Sequence, residues 1–165
     1  MKNLILFLLL LSFAGMAYAQ GGAADSIAWR NITSAPGTIN RSACGVIGNY
    51  LYIFGGIWNR SAAYALNLTT ESWENATVPP DTGDNWNGTN ANGSFYLYPT
   101  ARGASPVQKF TPTGGGPTGT WTSLGNYPAP GHSSFAVAWD GGNYIYSAGG
   151  GVPASQQAYK LDITT

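Results

Sequence analysis

Short apolar runs rich in aromatic residues recur along this chain, each closed by a polar or glycine-rich turn. Leu51-Tyr52-Ile53-Phe54 runs into Gly55-Gly56, and Tyr64-Ala65-Leu66-Asn67-Leu68 and then Trp73 follow. Ile145-Tyr146-Ser147-Ala148 runs into Gly149-Gly150, and Tyr159-Lys160-Leu161-Asp162-Ile163 follows. Between them, Phe95-Tyr96-Leu97-Tyr98 keeps the run, with Pro99-Thr100 in place of the glycine pair. Runs of this length and composition, bounded by Gly, Pro and Asn, predict β-strands joined by tight turns rather than helices.

The runs are copies of one unit. Tyr52, Tyr96 and Tyr146 are 44 and 50 residues apart, and Trp29, Trp73 and Trp121 are 44 and 48 apart. A proline stands seven residues past each of these tryptophans, at Pro36, Pro80 and Pro128. The tract Thr111-Pro112-Thr113-Gly114-Gly115-Gly116-Pro117 lengthens one loop of the middle copy and reads as a flexible turn. A period of this size indicates one supersecondary unit repeated along the chain.

Strand, glycine pair, Tyr and Trp in fixed order resemble the kelch repeat over about residues 25–165. The resemblance implies an all-β fold, a partial kelch-type β-propeller of about three four-stranded antiparallel blades. The blades would span approximately 37–80, 81–129 and 130–165, within a repeat region covering 20–165. Its structural positions are Trp29, Tyr52, Gly55, Gly56, Tyr64, Trp73, Tyr96, Trp121, Tyr146, Gly149, Gly150 and Tyr159. Trp29-Arg30-Asn31-Ile32 resembles Trp73-Glu74-Asn75-Ala76, so residues 25–36 are expected to supply a closing, velcro-type strand for the last blade. Propellers typically have four to eight blades. Three copies therefore leave three readings open: part of a longer propeller, a half-propeller that pairs with a second copy, or an open arc.

The first residues differ from the rest. Lys2 precedes a nearly unbroken apolar run from Leu4 to Phe13, and Ala17-Tyr18-Ala19 is a small-x-small site. This layout predicts a secretory signal peptide over 1–19, with cleavage after Ala19. The apolar run is short for a membrane span. The expected location is secreted or extracellular, which means periplasm or cell surface in a bacterium. Cys44 is the single cysteine, so it forms no intrachain disulfide. Its apolar surroundings suggest a small buried strand residue, and an intermolecular bridge is the other reading.

Charged residues make up 8% of the chain and balance to a net charge of zero. No basic stripe is present to attract nucleic acid. Loops between the second and third strands of each blade share a face with the connections entering the first strand. That face would display Arg41, Trp58, Arg60, Asp84, Arg102 and His132. An aromatic plane beside guanidinium forks suits a sugar or a small anion. Seven Asn-x-Ser/Thr sequons, at Asn31, Asn40, Asn59, Asn67, Asn75, Asn87 and Asn92, would be glycan acceptors in a eukaryotic secretory protein.

Catalytic signatures are sparse. The resemblance reaches secreted copper oxidases similar to galactose oxidase, whose metal site takes several His and Tyr ligands and a cysteine-modified tyrosine. One His and one Cys are too few for that site or for a zinc site. Sialic-acid epimerases share the architecture, but Glu71 and Glu74 lie beside Trp73 rather than as a converging pair. No Ser-His-Asp motif or phosphate loop is present. The sequence thus predicts a recognition or adhesion module that binds carbohydrate or protein, without cofactor or metal. A sugar-acting propeller enzyme, truncated or assembled from two chains, is the alternative.

Overall fold

The computed structural model describes residues 29–81, 86–98, 106–128, 134–151 and 155–164. The chain divides into two compact units, Met1–Asn31 and Ile32–Thr165, and the architecture described here is that of the second. Among the described residues it is all-β. The first sheet holds β1 (Ala43–Ile47), β2 (Tyr50–Phe54), β3 (Ala63–Asn67) and β4 (Trp73–Asn75). The second holds β5 (Asn87–Ala91), β6 (Ser94–Tyr98), β7 (Pro106–Pro112) and β8 (Gly119–Asn126). The third holds β9 (Ala136–Trp139), β10 (Tyr144–Ala148) and β11 (Ala158–Asp162). Every pairing is antiparallel between neighbours in sequence, so each sheet is a simple meander. Sheets of four, four and three strands form a partial propeller-like all-β fold. The third sheet has three strands among the described residues, and residues 29–36 pair in no sheet.

Turn chemistry sets the registers. Asn92-Gly93 closes the β5–β6 hairpin with φ of 46° and 71°, both left-handed, as the tightest hairpin turns require. Between β9 and β10, the Asp140 carboxylate accepts from the amides of Gly142 (2.7 Å) and Tyr144 (3.2 Å). The glycine-rich tract between β7 and β8 is tied at both ends of its turn. Thr113 N–H donates to the Thr118 carbonyl at 2.9 Å, and the Tyr52 hydroxyl donates to the Gly116 carbonyl at 2.6 Å.

Strand alternation decides what lies between the sheets. On β2, Tyr52 and Phe54 face the second sheet. Phe95 and Leu97 of β6 meet them, joined by Phe110, Trp86 and the edge of Trp121. The other face of β6 turns Tyr96 and Tyr98 toward the third sheet, where they pack with Val107, Tyr127, Phe135 and Ile145. Phe95 fits the first interface because Gly45 and Gly88 flank it. A Cβ at either position would lie 2.7 Å or 2.5 Å from its ring.

Among the described residues, the same alternation leaves two faces with no sheet packed on them. Cys44 and Val46, with partly buried Leu51 and Ile53, point away from the second sheet. Cys44 is therefore an exposed strand residue, not a buried one, because its β1 neighbours Ala43 and Ile47 take the inward positions. Tyr146 occupies the position of Tyr52 and Tyr96 in its own sheet, yet it is 47% exposed, and no sheet among the described residues packs on that side of β10.

A second repeated feature ties the sheets together. The Trp73 indole N–H donates to the Thr33 carbonyl at 2.9 Å, and that of Trp121 to the Thr77 carbonyl at 2.9 Å. Thr33 and Thr77 each stand four residues after a repeat tryptophan, Trp29 and Trp73. Each outer-strand tryptophan, Trp73 and Trp121, thus holds the carbonyl four residues past the preceding repeat tryptophan.

Burial of the tyrosines predicts an alkaline limit to stability. Burial, with smaller contributions from Tyr50 and Glu74, pushes the Tyr52 phenol from 10.0 up to about 12. Burial chiefly, then Tyr127 and Tyr96, raises Tyr98 further still. Raised folded-state values favour the folded protein's neutral phenols, so this stability is complete below pH 10 and drains as pH rises past it. Denaturation midpoints measured across that range should fall steeply. The Tyr98 hydroxyl is buried without a partner. Tyr98→Phe should flatten the decline while leaving neutral-pH stability equal or higher, because it removes an unpaired buried polar group. A steeper decline in the variant would contradict this assignment.

Candidate functional site

One end of the first sheet carries the β2–β3 loop, Gly55 to Ala62, and the segment entering β1. The loop leaves β2 through Gly55 (φ 67°) and Gly56 (φ 137°), conformations that a side chain would strain. Gly55 N–H donates to the Ala62 carbonyl at 2.7 Å, and Ala62 N–H to the Asn59 carbonyl at 3.0 Å. Ile57 N–H reaches the Asn40 carbonyl at 2.9 Å, which docks the loop on the segment holding Arg41. Arg41 itself has φ 58°, and its carbonyl accepts from Trp86 N–H at 3.1 Å. The Trp86 indole is buried directly against Gly55.

This backbone fixes Trp58 at the tip of a short, braced loop, 73% exposed, with Arg60 two residues on and Arg41 on the adjoining segment. The structure therefore brings Arg41, Trp58 and Arg60 to one end of one sheet. Asp84, Arg102 and His132 lie outside the described residues. Sequence reasoning missed Trp86. Its indole, packed against Gly55 where the loop leaves β2, has a buried Nε1 without a partner, as does the Nδ2 of the neighbouring Asn87. Its signal in the sequence is a single aromatic residue within the polar run Asp84-Asn85-Trp86-Asn87.

A concavity lies between the second and third sheets, an open cleft of about 190 Å³. Tyr98, Leu124, Gly125, Tyr127, Tyr159 and Leu161 contribute to its lining. Tyr127 and Ser147 share a hydrogen bond of 3.1 Å at its base. Burial raises the Tyr127 phenol above its ordinary value, partly offset by that bond. Among the described residues, no three His, Cys, Asp or Glu side chains gather in one place, and no helix is long and apolar enough to cross a membrane.

No protein-family model matches this sequence, and no curated protein shows significant similarity to it.

The sequons divide by local structure. Asn31, Asn40, Asn59, Asn75 and Asn92 are exposed. Asn67 is occupied as a turn cap: its side-chain oxygen accepts from the amides of Thr69 (2.9 Å) and Thr70 (3.1 Å) and from Asn49 Nδ2 (3.0 Å). Asn87 Nδ2 is buried. Asn67 and Asn92 thus have turn duties that account for asparagine at those positions without a glycan.

Proposed function

We propose that this protein is a secreted, kelch-like recognition module that binds carbohydrate or protein through loops held on rigid sheets. A sugar ring is the ligand that suits the first sheet's loop. The observation that carries this reading is Trp58, a large exposed indole on a loop pinned by three backbone hydrogen bonds. A pre-ordered aromatic plane binds without a large ordering penalty, and the C–H face of a sugar stacks on such a plane. Arg60 follows two residues on in the same loop and Arg41 lies on the segment to which the loop is docked, and guanidinium groups suit hydroxyls or an acidic substituent. The signal-like first nineteen residues and the exposed sequons agree with life outside the cell.

Binding to an array of glycans provides the test. The protein is expected to retain a defined subset, and Trp58→Ala to weaken that binding roughly tenfold or more. Thermal stability should stay unchanged, because the indole packs little. Arg60→Ala should weaken acidic glycans more than neutral ones. Glycan binding that survives Trp58→Ala would remove this loop from the recognition surface.

A further inference from the structure

One position on the third strand of each sheet holds tyrosine in two sheets and glutamine in the other. Tyr64 stands opposite Ile53, Gln108 opposite Leu97 and Tyr159 opposite Ser147. Ile53, Leu97 and Ser147 each follow a repeat tyrosine, so their partners are equivalent and Gln108 takes the tyrosine's place. A second exchange accompanies it. Gly37 and Asp81 are 44 residues apart, each directly after a repeat proline, Pro36 or Pro80. A Cβ on Gly37 would lie 3.0 Å from the Tyr64 hydroxyl, so glycine is what fits beside tyrosine there. In the next copy the two altered residues meet. Gln108 Nε2 donates to the Asp81 carboxylate at 3.0 Å and to the Ser123 hydroxyl at 3.2 Å.

Packing does not account for this pair. Gln108 is 2% exposed, and its Oε1 is buried without a partner. An unpaired buried acceptor costs stability. A tyrosine at this position reaches out of the core, as Tyr64 and Tyr159 do, both only partly buried, and brings no amide oxygen to be stranded. A departure from a repeat's own pattern that costs stability is expected where function overrides packing. What the glutamine gives in return is a carboxylate fixed in place. Asp140 and Asp162 accept from amides of their own turns. Asp81 instead accepts from a buried side chain 27 positions away in the chain.

The pair lies at the end of the sheets that carries the Trp58 loop. Gln108 shares the face of Leu97 and Phe110, toward the first sheet, two residues in from Pro106 at the start of β7. The start of β7 lies at the same end as the start of β5, because both strands run antiparallel to β6. Trp86, directly before β5, packs against Gly55, directly after β2. The β2–β3 loop is therefore at this end too. Asp81 is half-buried here, five residues before Trp86 on the connection from the first sheet to the second.

We propose that Asp81 is a specificity-determining residue of the recognition surface that includes Trp58, with Gln108 as its positioning residue. This rests on the reading of Trp58 as a sugar-stacking plane. An indole gives affinity with little choice, since many sugars offer it a C–H face. A fixed carboxylate supplies the choice. An ionised carboxylate only accepts, and its two oxygens take hydrogen bonds from adjacent hydroxyls in charge-assisted pairs. The ligand class is a sugar with two free neighbouring hydroxyls. A site built to bond a hydroxyl rejects the analogue that lacks it far more strongly than an apolar contact does.

The test uses the glycan that an array retains most tightly, and its deoxy analogues, each lacking one hydroxyl. Asp81→Asn keeps the shape of the side chain and an oxygen for Gln108, so thermal stability should be unchanged. It should weaken that glycan roughly tenfold or more. The analogue lacking the bonded hydroxyl should bind Asp81→Asn and the unaltered protein alike, because the contact is already gone. Gln108→Tyr combined with Asp81→Gly installs the pair of the first sheet. It should be at least as stable as the unaltered protein and bind the glycan as weakly as Asp81→Asn. A double variant of lower stability would give the pair to packing and overturn the proposal. So would an Asp81→Asn defect that every deoxy analogue shares equally. Binding lost in Trp58→Ala but intact in Asp81→Asn overturns the role of Asp81 and leaves that of the loop standing. A protein that retains no glycan overturns both.

Discussion

Gly55→Ala is expected to lower stability by about 3 kcal/mol, one of the largest losses any single methyl group should cause in this fold. Two penalties fall on the same atom. The residue sits at φ 67°, where an L side chain crowds the following carbonyl. Its new Cβ would also occupy the space of the buried Trp86 indole. Trp86 cannot withdraw easily, because its backbone N–H is tied to the Arg41 carbonyl. Urea denaturation should show the midpoint falling by on the order of 1–2 M with an unchanged slope. Gly93→Ala separates the two penalties: it has φ 71° but open space around it, so it should lose only about 1 kcal/mol. Equal losses in the two variants would mean that Trp86 does not press on Gly55. Because Gly55 launches the loop bearing Trp58, Gly55→Ala should also weaken ligand binding at that loop.

Gly55 also illustrates what the sequence makes legible. A glycine pair after an aromatic strand announces a turn with positive φ, and the structure has that turn at Gly55-Gly56 and again at Gly149-Gly150. The strands were legible for the same local reason, since aromatic and branched residues between turn formers leave few alternatives. What lies across from each strand was not. Tyr52, Tyr96 and Tyr146 are equivalent in sequence, but among the described residues only the first two have a sheet facing them, so burial depends on what packs across the strand rather than on the residue. Cys44 misleads in the same way: an apolar neighbourhood in sequence says nothing about which face of β1 is covered.

The candidate site was legible in part. Trp58 stood out as an aromatic in a polar loop, and its exposure follows from the loop's brevity. Trp86 did not stand out, since one tryptophan among six carries no mark of being the post that a loop leans on. Its role arises from contact with Gly55, thirty-one positions away in the chain. Local pattern specifies strands and turns, whereas packing between sheets depends on non-local pairs.

Phe54→Ala should be more damaging than Gly55→Ala, with a loss of about 3–5 kcal/mol. Phe54 is fully buried and touches four other rings, those of Tyr52, Phe95, Phe110 and Trp121, at centroid distances from 4.9 to 6.0 Å. Removing it opens a cavity where β2, β6, β7 and β8 converge, and none of the surrounding rings can move in without leaving another void. The loss is comparable with the whole stability of an ordinary domain, about 5–15 kcal/mol. Near-ultraviolet circular dichroism should therefore lose much of its aromatic signal well below the normal melting temperature. The equivalent position in the third sheet makes the contrast. Ala148 is exposed on β10, so Ala148→Phe should be tolerated. If Phe54→Ala melted like the unaltered protein, the aromatic cluster between the first two sheets would not be what holds them together.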